Sequence, residues 1–454
     1  MLKPADPNET IPLSKEQESY LTLGRDGHGA VPLCYRVRGK LDIPALQQAL
    51  AEVAARHEPL RMRLLDTPEG LRQVFRPAEA EDWLVQEIIA ADSLAAQDMA
   101  CELAAVPSDL RAQGPVRTWL IRSGPADMLL VVLIDHLSID GWSSGIFSKE
   151  LWTRYYAAST GTESAPLPPA ARFTDFVVTQ RDCASSWTPA QYQYWRQVSQ
   201  DYCEPVLQPR ISAPVGSPEQ PGRSDLVCAV SHEQLGRLTG FARAAVVPPR
   251  TVELAGLLLA LWAWCPAPVI NVWCMHSGRE NRAIAHAIGN YSRSFPLAVR
   301  IDPEATLADF TRNVLHGWSE AVGYSGTPYS AVAVRELIAR AGGADPAMPE
   351  VRLNQIISPP GMSASSDPVV LGKSTTVEWC DLTATRWSWY REPRVRIMSI
   401  LDTSLTMRAI FNPGVTPPEF VEATMTYLDR LLPLFATEYA DEPIGKLVDR
   451  SLRR

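Results

Sequence analysis

The sequence predicts an α+β protein built as two lobes, and three observations carry that expectation. The chain has 454 residues, more than one ordinary hydrophobic core serves. Helix-periodic segments and short strand-like runs follow one another in the same mixed style in both halves. Stretches dense in Pro, Gly and Ser break the chain, the longest over 204–224. A lobe boundary is expected near residues 178–190, giving lobes of 1–178 and 179–454.

Taken in order, Leu13 to Leu23 reads as a short helix capped by Ser14, followed by a strand over 33–38. Ile43, Leu46, Leu50, Val53 and Ala54 have helical spacing, with Pro44 near the start, and predict an amphipathic helix. Two short strands flank a turn at Pro68 to Gly70, and residues 80–112 read as helical and acidic. GPVRTWLIRSGPADMLLVVLIDH predicts a hairpin with its turn at Ser123 to Asp127. Beyond Gly141, the spacing of Ile146, Phe147, Leu151 and Tyr155 predicts a helix capped by Ser143 or Ser144. The second half predicts helices over 232–245, 251–264, 306–321, 330–341 and 418–436. Its strands are expected over 269–275, 295–301, 351–357, 375–384, 394–400 and 404–411.

Composition narrows the function classes. A hydrophobic fraction of 46% and a charged fraction of 21% fit a globular protein. The net charge of −8 and the lack of a long basic run argue against nucleic acid as a partner. None of the eight cysteines is spaced as CxxC or set beside a histidine in a zinc pattern, so reduced, mostly buried thiols and no metal site are expected. The N-terminus lacks an apolar signal region, and a cytoplasmic location is expected. Residues 254–275 are uncharged and long enough to span a bilayer. Pro266 and Pro268 split them into a helix and a buried strand, however, so no membrane insertion is expected.

The chemistry concentrates in LLVVLIDHLSIDGWSSG (129–145), where an apolar strand runs into Asp135, His136, Asp140 and Gly141. HxxxDG alone is a weak signal. Placed between a buried strand and a capped helix, it can hold a reactive side chain on rigid neighbours. At this point the chain resembles the condensation domains of nonribosomal peptide synthetases, in the chloramphenicol-acetyltransferase-like superfamily. The resemblance is an ordered series across nearly the whole chain. LSKEQESYLTL resembles the family's opening motif, RHEPLRMRL (Arg56 to Leu64) its second, and DHLSIDGWS (Asp135 to Ser143) the active-site HHxxxDG motif. FTDFVVTQR (Phe173 to Arg181), with YWR at 194–196, resembles the fourth. SGREN and IGNYSRSFPLAVR (Ser277 to Asn281, Ile288 to Arg300) resemble the fifth. GTPYSAV (Gly326 to Val332) and VRLNQII (Val351 to Ile357) resemble the sixth and seventh. The resemblance implies two acetyltransferase-like lobes in a V with a tunnel between them. It also implies a latch near 358–374 that crosses from the second lobe to the first.

Roles follow from the resemblance, each beside a plainer reading. His136 matches the catalytic histidine; a neutral imidazole suits the proton that an attacking amine or hydroxyl must lose. A lone histidine at a strand end is ordinarily a hydrogen-bonded core residue, and it is the ordered motifs that favour the active role. Asp140 is expected in the catalytic loop as a cross-lobe strut to Arg279, since a buried carboxylate needs such a partner. Gly141 is expected to let a pantetheine arm approach and to turn its N–H toward the oxyanion. Asp135, Trp142, Ser143 and Asn354 are expected to line the tunnel, Asn354 with its amide toward the tetrahedral intermediate. A solvent-facing strand position is an equal reading for Asn354. Arg61 is expected to be a structural ion-pair residue. Asp135 departs from the family, which usually has histidine there. Ionised beside His136 it would raise the imidazole pKa unless a basic neighbour neutralised it.

The expected function is that of a free-standing acyltransferase. It would move an acyl or aminoacyl group from a carrier-protein phosphopantetheine thioester to an amine or alcohol, forming an amide or ester in natural-product biosynthesis. Acyl or peptidyl carrier proteins and a small or carrier-bound acceptor are the expected partners, and a monomer is expected. No dissociable cofactor is expected, because phosphopantetheine arrives on its carrier. Two alternatives stand beside this. One is a coenzyme-A-dependent acyltransferase of the same fold, weakened by the missing DFGWG motif of the plant-type branch. The other is an inactive condensation-like docking module, a path that Asp135 would begin and that an intact His136, Asp140 and Gly141 oppose.

Overall fold

Strand β7 (Asp127–Asp135) is apolar along most of its length because it is covered on both faces, and every residue from Met128 to Asp135 is buried. It lies inside a six-stranded sheet of order β12-β13-β2-β7-β6-β5, with β2 (Ala30–Arg38), β5 (Gln86–Ile89), β6 (Val116–Gly124), β12 (Val369–Leu371) and β13 (Thr375–Trp379). The ladders are antiparallel except β5 on β6. This computed structural model describes residues 10–23, 29–77, 83, 85–106, 108–182, 187–202, 222–223, 225–279, 281–326, 329–341, 350–356, 369–371, 375–380, 394–401, 404–414, 416–436 and 441–452.

The chain forms two compact units. The first comprises Met1–Cys183, Ser277–Ser292 and Ile357–Arg386, and the second the remainder. In the first unit the period-two pattern of β7 sorts its side chains between two cores. Leu130, Val132 and Ile134 pack with helices α2 (Ile43–Arg56) and α4 (Gly141–Thr160). Leu129, Val131 and Leu133 pack on the other face with α3 (Ser93–Ala105). A smaller sheet of order β1-β4-β3 (Ile11–Pro12, Gly70–Phe75, Met62–Thr67) and helices α1 (Lys15–Leu23) and α5 (Phe173–Asp182) complete the unit. Ser14 opens α1 with a reciprocal cap: its Oγ accepts from Gln17 N at 3.1 Å, and Gln17 Oε1 accepts from Ser14 N at 2.9 Å.

The second unit has its own six-stranded sheet, of order β10-β9-β11-β14-β15-β8. These strands are β8 (Val227–Val230), β9 (Val269–His276), β10 (Arg293–Arg300), β11 (Glu350–Ile356), β14 (Arg394–Leu401) and β15 (Leu405–Ile410). β11 runs parallel to both neighbours and the other pairs are antiparallel. Its helices are α6 (Pro189–Tyr202), α7 (His232–Ala245), α8 (Pro249–Trp264), α9 (Leu307–Tyr324), α10 (Ala331–Arg340), α11 (Pro418–Leu431) and α12 (Ile444–Leu452). Helix α8 is apolar from Leu254 onward because nearly all of that stretch is buried. Leu254, Leu257, Leu258 and Leu259 are each at most 2% exposed, and each such burial contributes about 1.5–3 kcal/mol.

Several expectations are corrected. Residues 80–112 are not helical throughout: Gln86–Ile89 add a parallel edge strand to the sheet, and only α3 is helical. The cap of α3 is Asp92, whose Oδ1 accepts from Ala95 N at 2.8 Å. Helix α4 is capped by Asp140, not by Ser143 or Ser144, which lie inside its first turn. Ser277–Ser292 belongs to the first unit, although a division into 1–178 and 179–454 assigns it to the second. Of the latch expected near 358–374, Val369–Leu371 forms strand β12 of the first unit's sheet, and the rest lies outside the described residues. The uncharged run 254–275 divides between α8 and β9. Among the described residues no single helix is long and apolar enough to cross a membrane. Helices α7 and α8 reach that length only as a pair bent by 99°.

Candidate active site

The loop after β7 is held before any side-chain chemistry begins. The ladder runs past the strand end on both sides: Asp135 N–H donates to Pro115 O at 2.8 Å and His136 N–H to Gly29 O at 3.3 Å. Ser138 N–H closes a turn onto Asp135 O at 2.9 Å. Leu137 and Ile139 are both fully buried and anchor the loop in different cores, Leu137 with Leu13, Met62, Leu64 and Leu110, and Ile139 with the α2–α4 layer. Gln17 Nε2 donates to Leu137 O at 3.0 Å, so helix α1 also grips the loop. His136 is half-buried between these anchors, its ring stacked on Tyr20 of α1 at 4.8 Å between centroids and 26° between planes.

Asp140 then starts α4. It is 1% exposed, and its Oδ1 accepts from Ser143 N at 2.9 Å in the manner of an N-cap. Its Oδ2 accepts from Arg279 Nη1 at 2.6 Å and from Tyr291 N at 3.0 Å. The structure thus brings Asp140 and Arg279 together, with 1% and 2% side-chain exposure. It does so within the first unit, which replaces the expected cross-lobe strut with a local one. Arg279 also donates to Ser277 O at 2.8 Å and to Ser143 Oγ at 2.7 Å, and lies 4.6 Å over the Tyr291 ring. Ser143 Oγ further donates to Gly289 O at 3.0 Å and accepts from Gly289 N at 3.1 Å. Trp142 Nε1 donates to Ala285 O at 3.0 Å. Asp140, Trp142 and Ser143 therefore tie the start of α4 to Ser277–Ser292, and the buried Asp140–Arg279 charges are paired and hydrogen-bonded as low dielectric demands.

Two residues expected to line a tunnel are instead interior. Ser143 is fully buried, and Asp135 is 1% exposed. Asp135 Oδ1 accepts from Leu137 N at 2.9 Å, because a carboxylate at a strand end satisfies the N–H two residues on. Its side chain shares the α3-side face of β7 with Leu133, and Arg117 lies opposite Leu133 on β6. Burial lowers the Arg117 pKa while the Asp135 charge works the other way. Arg117 is thus a basic residue whose charge acts on Asp135, while its guanidinium donates to Val106 O at 2.7 Å. Trp142 is half-buried. Asn354 is half-buried on β11 of the second unit, opposite Met398 of β14. Gly141 is exposed as the first residue of α4 and has no positive φ, so it contributes an uncovered backbone at a helix N-terminus. Arg61 donates through Nε to Ala54 O at 2.9 Å and through Nη1 to Arg76 O, so among the described residues its hydrogen bonds go to carbonyls, with the Glu58 charge nearby, in place of the expected ion pair.

Sequence reasoning missed a second support. His57, 2% exposed, has Nε2 at 3.1 Å from Glu150 Oε2 and accepts at Nδ1 from Ile288 N at 3.3 Å. Burial pushes the imidazole below its ordinary pKa, outweighing the pull of Glu150. A neutral ring that donates from Nε2 and accepts at Nδ1 fits both partners, and Arg56 supplies Glu150 with its counter-charge at 3.1 Å. The motif RHEP contained the signal, but its long-range partners at Glu150 and Ile288 did not show in spacing. Among the described residues no group of three or more His, Cys, Asp or Glu could hold a metal ion.

A family model described as Condensation domain matches residues 8–341. The probable non-canonical nonribosomal peptide synthetase CymA of Salinispora arenicola (strain CNS-205) is 25% identical over 390 residues, 82% of this chain but only 5% of that protein. The chain thus spans a small part of that curated relative. The crystal structure of SgcC5 from Streptomyces globisporus, in complex with (R)-(-)-1-(2-naphthyl)-1,2-ethanediol and sucrose, superposes with a TM-score of 0.76 at 21% identity, covering 95% of this chain and all of that one. The X-domain from teicoplanin biosynthesis, in complex with OxyB, superposes with a TM-score of 0.74 at 18% identity over 98% of each chain.

Proposed function

The chain belongs to the condensation-domain family, and from that premise we propose that it transfers an acyl or aminoacyl group from the phosphopantetheine thioester of a carrier protein to an amine or alcohol. The acceptor's lone pair attacks the thioester carbonyl. His136 takes the proton that the acceptor loses, and the C–S bond breaks to release the carrier's thiol, to which the proton passes. The N–H of Gly141, at the open N-terminus of α4, is the donor proposed for the oxyanion. Asp140 and Arg279 touch no substrate in this scheme and act by holding the loop. Phosphopantetheine enters as part of the substrate, and no resident cofactor takes part.

The observation that supports this most is the fixation of His136, gripped by the backbone at Gly29, stacked on Tyr20 and flanked by two fully buried anchors. A half-buried imidazole held on rigid neighbours suits proton transfer to a bound reactant. The test mixes the purified chain with acyl-carrier thioesters and a panel of amines and alcohols, the latter including a vicinal diol of the kind held by the SgcC5 structure. Mass spectrometry follows the product. The proposal expects product from acyl-carrier donors and a loss of about 10²–10⁴-fold in His136→Ala. Product from acyl-coenzyme A alone would select the coenzyme-A-dependent alternative. A second reading, a docking module that recruits a partner protein, is favoured by Asp135 in the place of the family's first histidine and by the fold shared with the OxyB-bound X-domain. It expects no turnover with any thioester.

A further inference from the structure

Cys34, Cys101 and Cys380 are far apart in sequence and converge on one face of the first unit's sheet. Cys34 lies on β2 within the apolar layer formed with α3, and Cys101 of α3 and Cys380 pack against that layer. The antiparallel register of β13 on β2 sets Trp379 opposite Tyr35, so the next residue, Cys380, falls opposite Cys34. Cys380 N–H donates to Cys34 O at 2.9 Å. Opposed residues in an antiparallel ladder have Cα atoms about 4.5–5.5 Å apart. That separation lies inside the range of about 4.4–6.8 Å that a disulfide spans. The two thiols are also hydrogen-bonded to each other, which together with burial holds the Cys34 thiol well above its usual pKa.

We propose that Cys34 and Cys380 form a redox-responsive thiol pair, closed to a disulfide by a peroxide-class oxidant. The two residues have different roles. Cys34 is fully buried and stays protonated, so it is not the thiol that meets an oxidant first. Cys380 is half-buried and accessible. Its thiol reacts with hydrogen peroxide to give a sulfenic acid and one water. The Cys34 thiol then displaces hydroxide from that sulfur, forming the S–S bond and releasing a second water once its proton is counted. The two thiols lose two electrons in total and the peroxide gains them. Strand β13 comes from Ile357–Arg386, a segment that joins the first unit from late in the chain. Oxidation therefore ties that segment covalently to β2, the strand beside β7.

The test needs no knowledge of the substrate and so stands or falls apart from the acyl-transfer proposal. Folded full-length protein is treated with hydrogen peroxide, denatured in excess alkylating agent, digested and mapped by mass spectrometry. The expected result is a Cys34–Cys380 linked peptide, lighter by two hydrogens than the sum of its parts, that disappears on treatment with dithiothreitol. Cys228 and Cys274, buried elsewhere, should remain alkylatable. In Cys380→Ser, Cys34 should stay a thiol at the same peroxide dose. Recovery of Cys34 as a fully alkylated thiol while Cys380 is oxidised would overturn the proposal, and so would linkage of Cys380 to Cys101. The wild-type map decides the question by itself, so a variant that fails to fold does not affect the outcome.

Discussion

Asp140 shows what one buried carboxylate requires. Its two oxygens accept from two backbone amides and one guanidinium, and the guanidinium belongs to a side chain as buried as its own. Removing Arg279 leaves that charge without compensation, so Arg279→Ala should lower unfolding stability by about 3–5 kcal/mol, read from denaturant melts. A loss below about 1 kcal/mol would mean that the pair is dispensable. Asp135 makes a smaller local contribution through the Leu137 amide, and Asp135→Ala should destabilise by about 1–3 kcal/mol. His57 adds a pH dependence. Its folded pKa lies below the ordinary value of about 6.5, so below that pH the unfolded chain binds the proton more readily. The stability contributed by neutral His57 is therefore present above about pH 6.5 and is lost as pH falls toward the lowered folded value. Urea midpoints measured from neutral to mildly acidic pH should fall more steeply for wild type than for His57→Gln, and equal slopes would contradict the assignment.

At the scale of elements, helix α4 and the Ser277–Ser292 segment form one construction. The N-cap Asp140 and the first-turn residues Trp142 and Ser143 each hydrogen-bond to that segment. Gly289 lets that segment pack closely on α5, since a Cβ there would meet Phe173 Cδ2 and Tyr291 Cε2 at 2.7 Å, and both rings are fully buried. Gly289→Ala should therefore destabilise by about 1–3 kcal/mol, despite the usual benefit of removing a glycine, and unchanged thermal unfolding would refute the packing argument. Much at this scale was legible in the sequence. Helix-periodic apolar spacing marked α2 and α4, the uncharged run split by Pro266 and Pro268 marked α8, and the hairpin turn marked β6 and β7, because those signals are local. The short edge strand β5 was missed within a run that looked helical, because four residues paired in parallel to β6 carry too little periodicity of their own. The Asp140 cap was missed because two serines nearby matched the same capping chemistry.

For the whole molecule, the sequence carried the α+β class and the ordered motifs of the family, but not the path of the chain between units. Ser277–Ser292 and Ile357–Arg386 return to the first unit from within the second half. Nothing in local spacing announces that return, because it is encoded in partners such as Asp140 with Tyr291 or β2 with β13. The candidate site was legible to the same degree. His136, Asp140, Gly141 and Arg279 stood out in motifs, whereas the interior placement of Asp135 and Ser143 depended on contacts invisible in one dimension. The first unit thus holds a histidine at the junction of its most buried strand and its longest helix, and the central claim is that this imidazole serves acyl transfer. The most direct measurement is product formation from an acyl-carrier thioester and an amine or alcohol acceptor by wild type and by His136→Ala, each first shown to be folded by thermal unfolding. The account expects wild-type turnover and a variant about 10²–10⁴-fold slower at unchanged stability. Equal rates for the two folded proteins would contradict it.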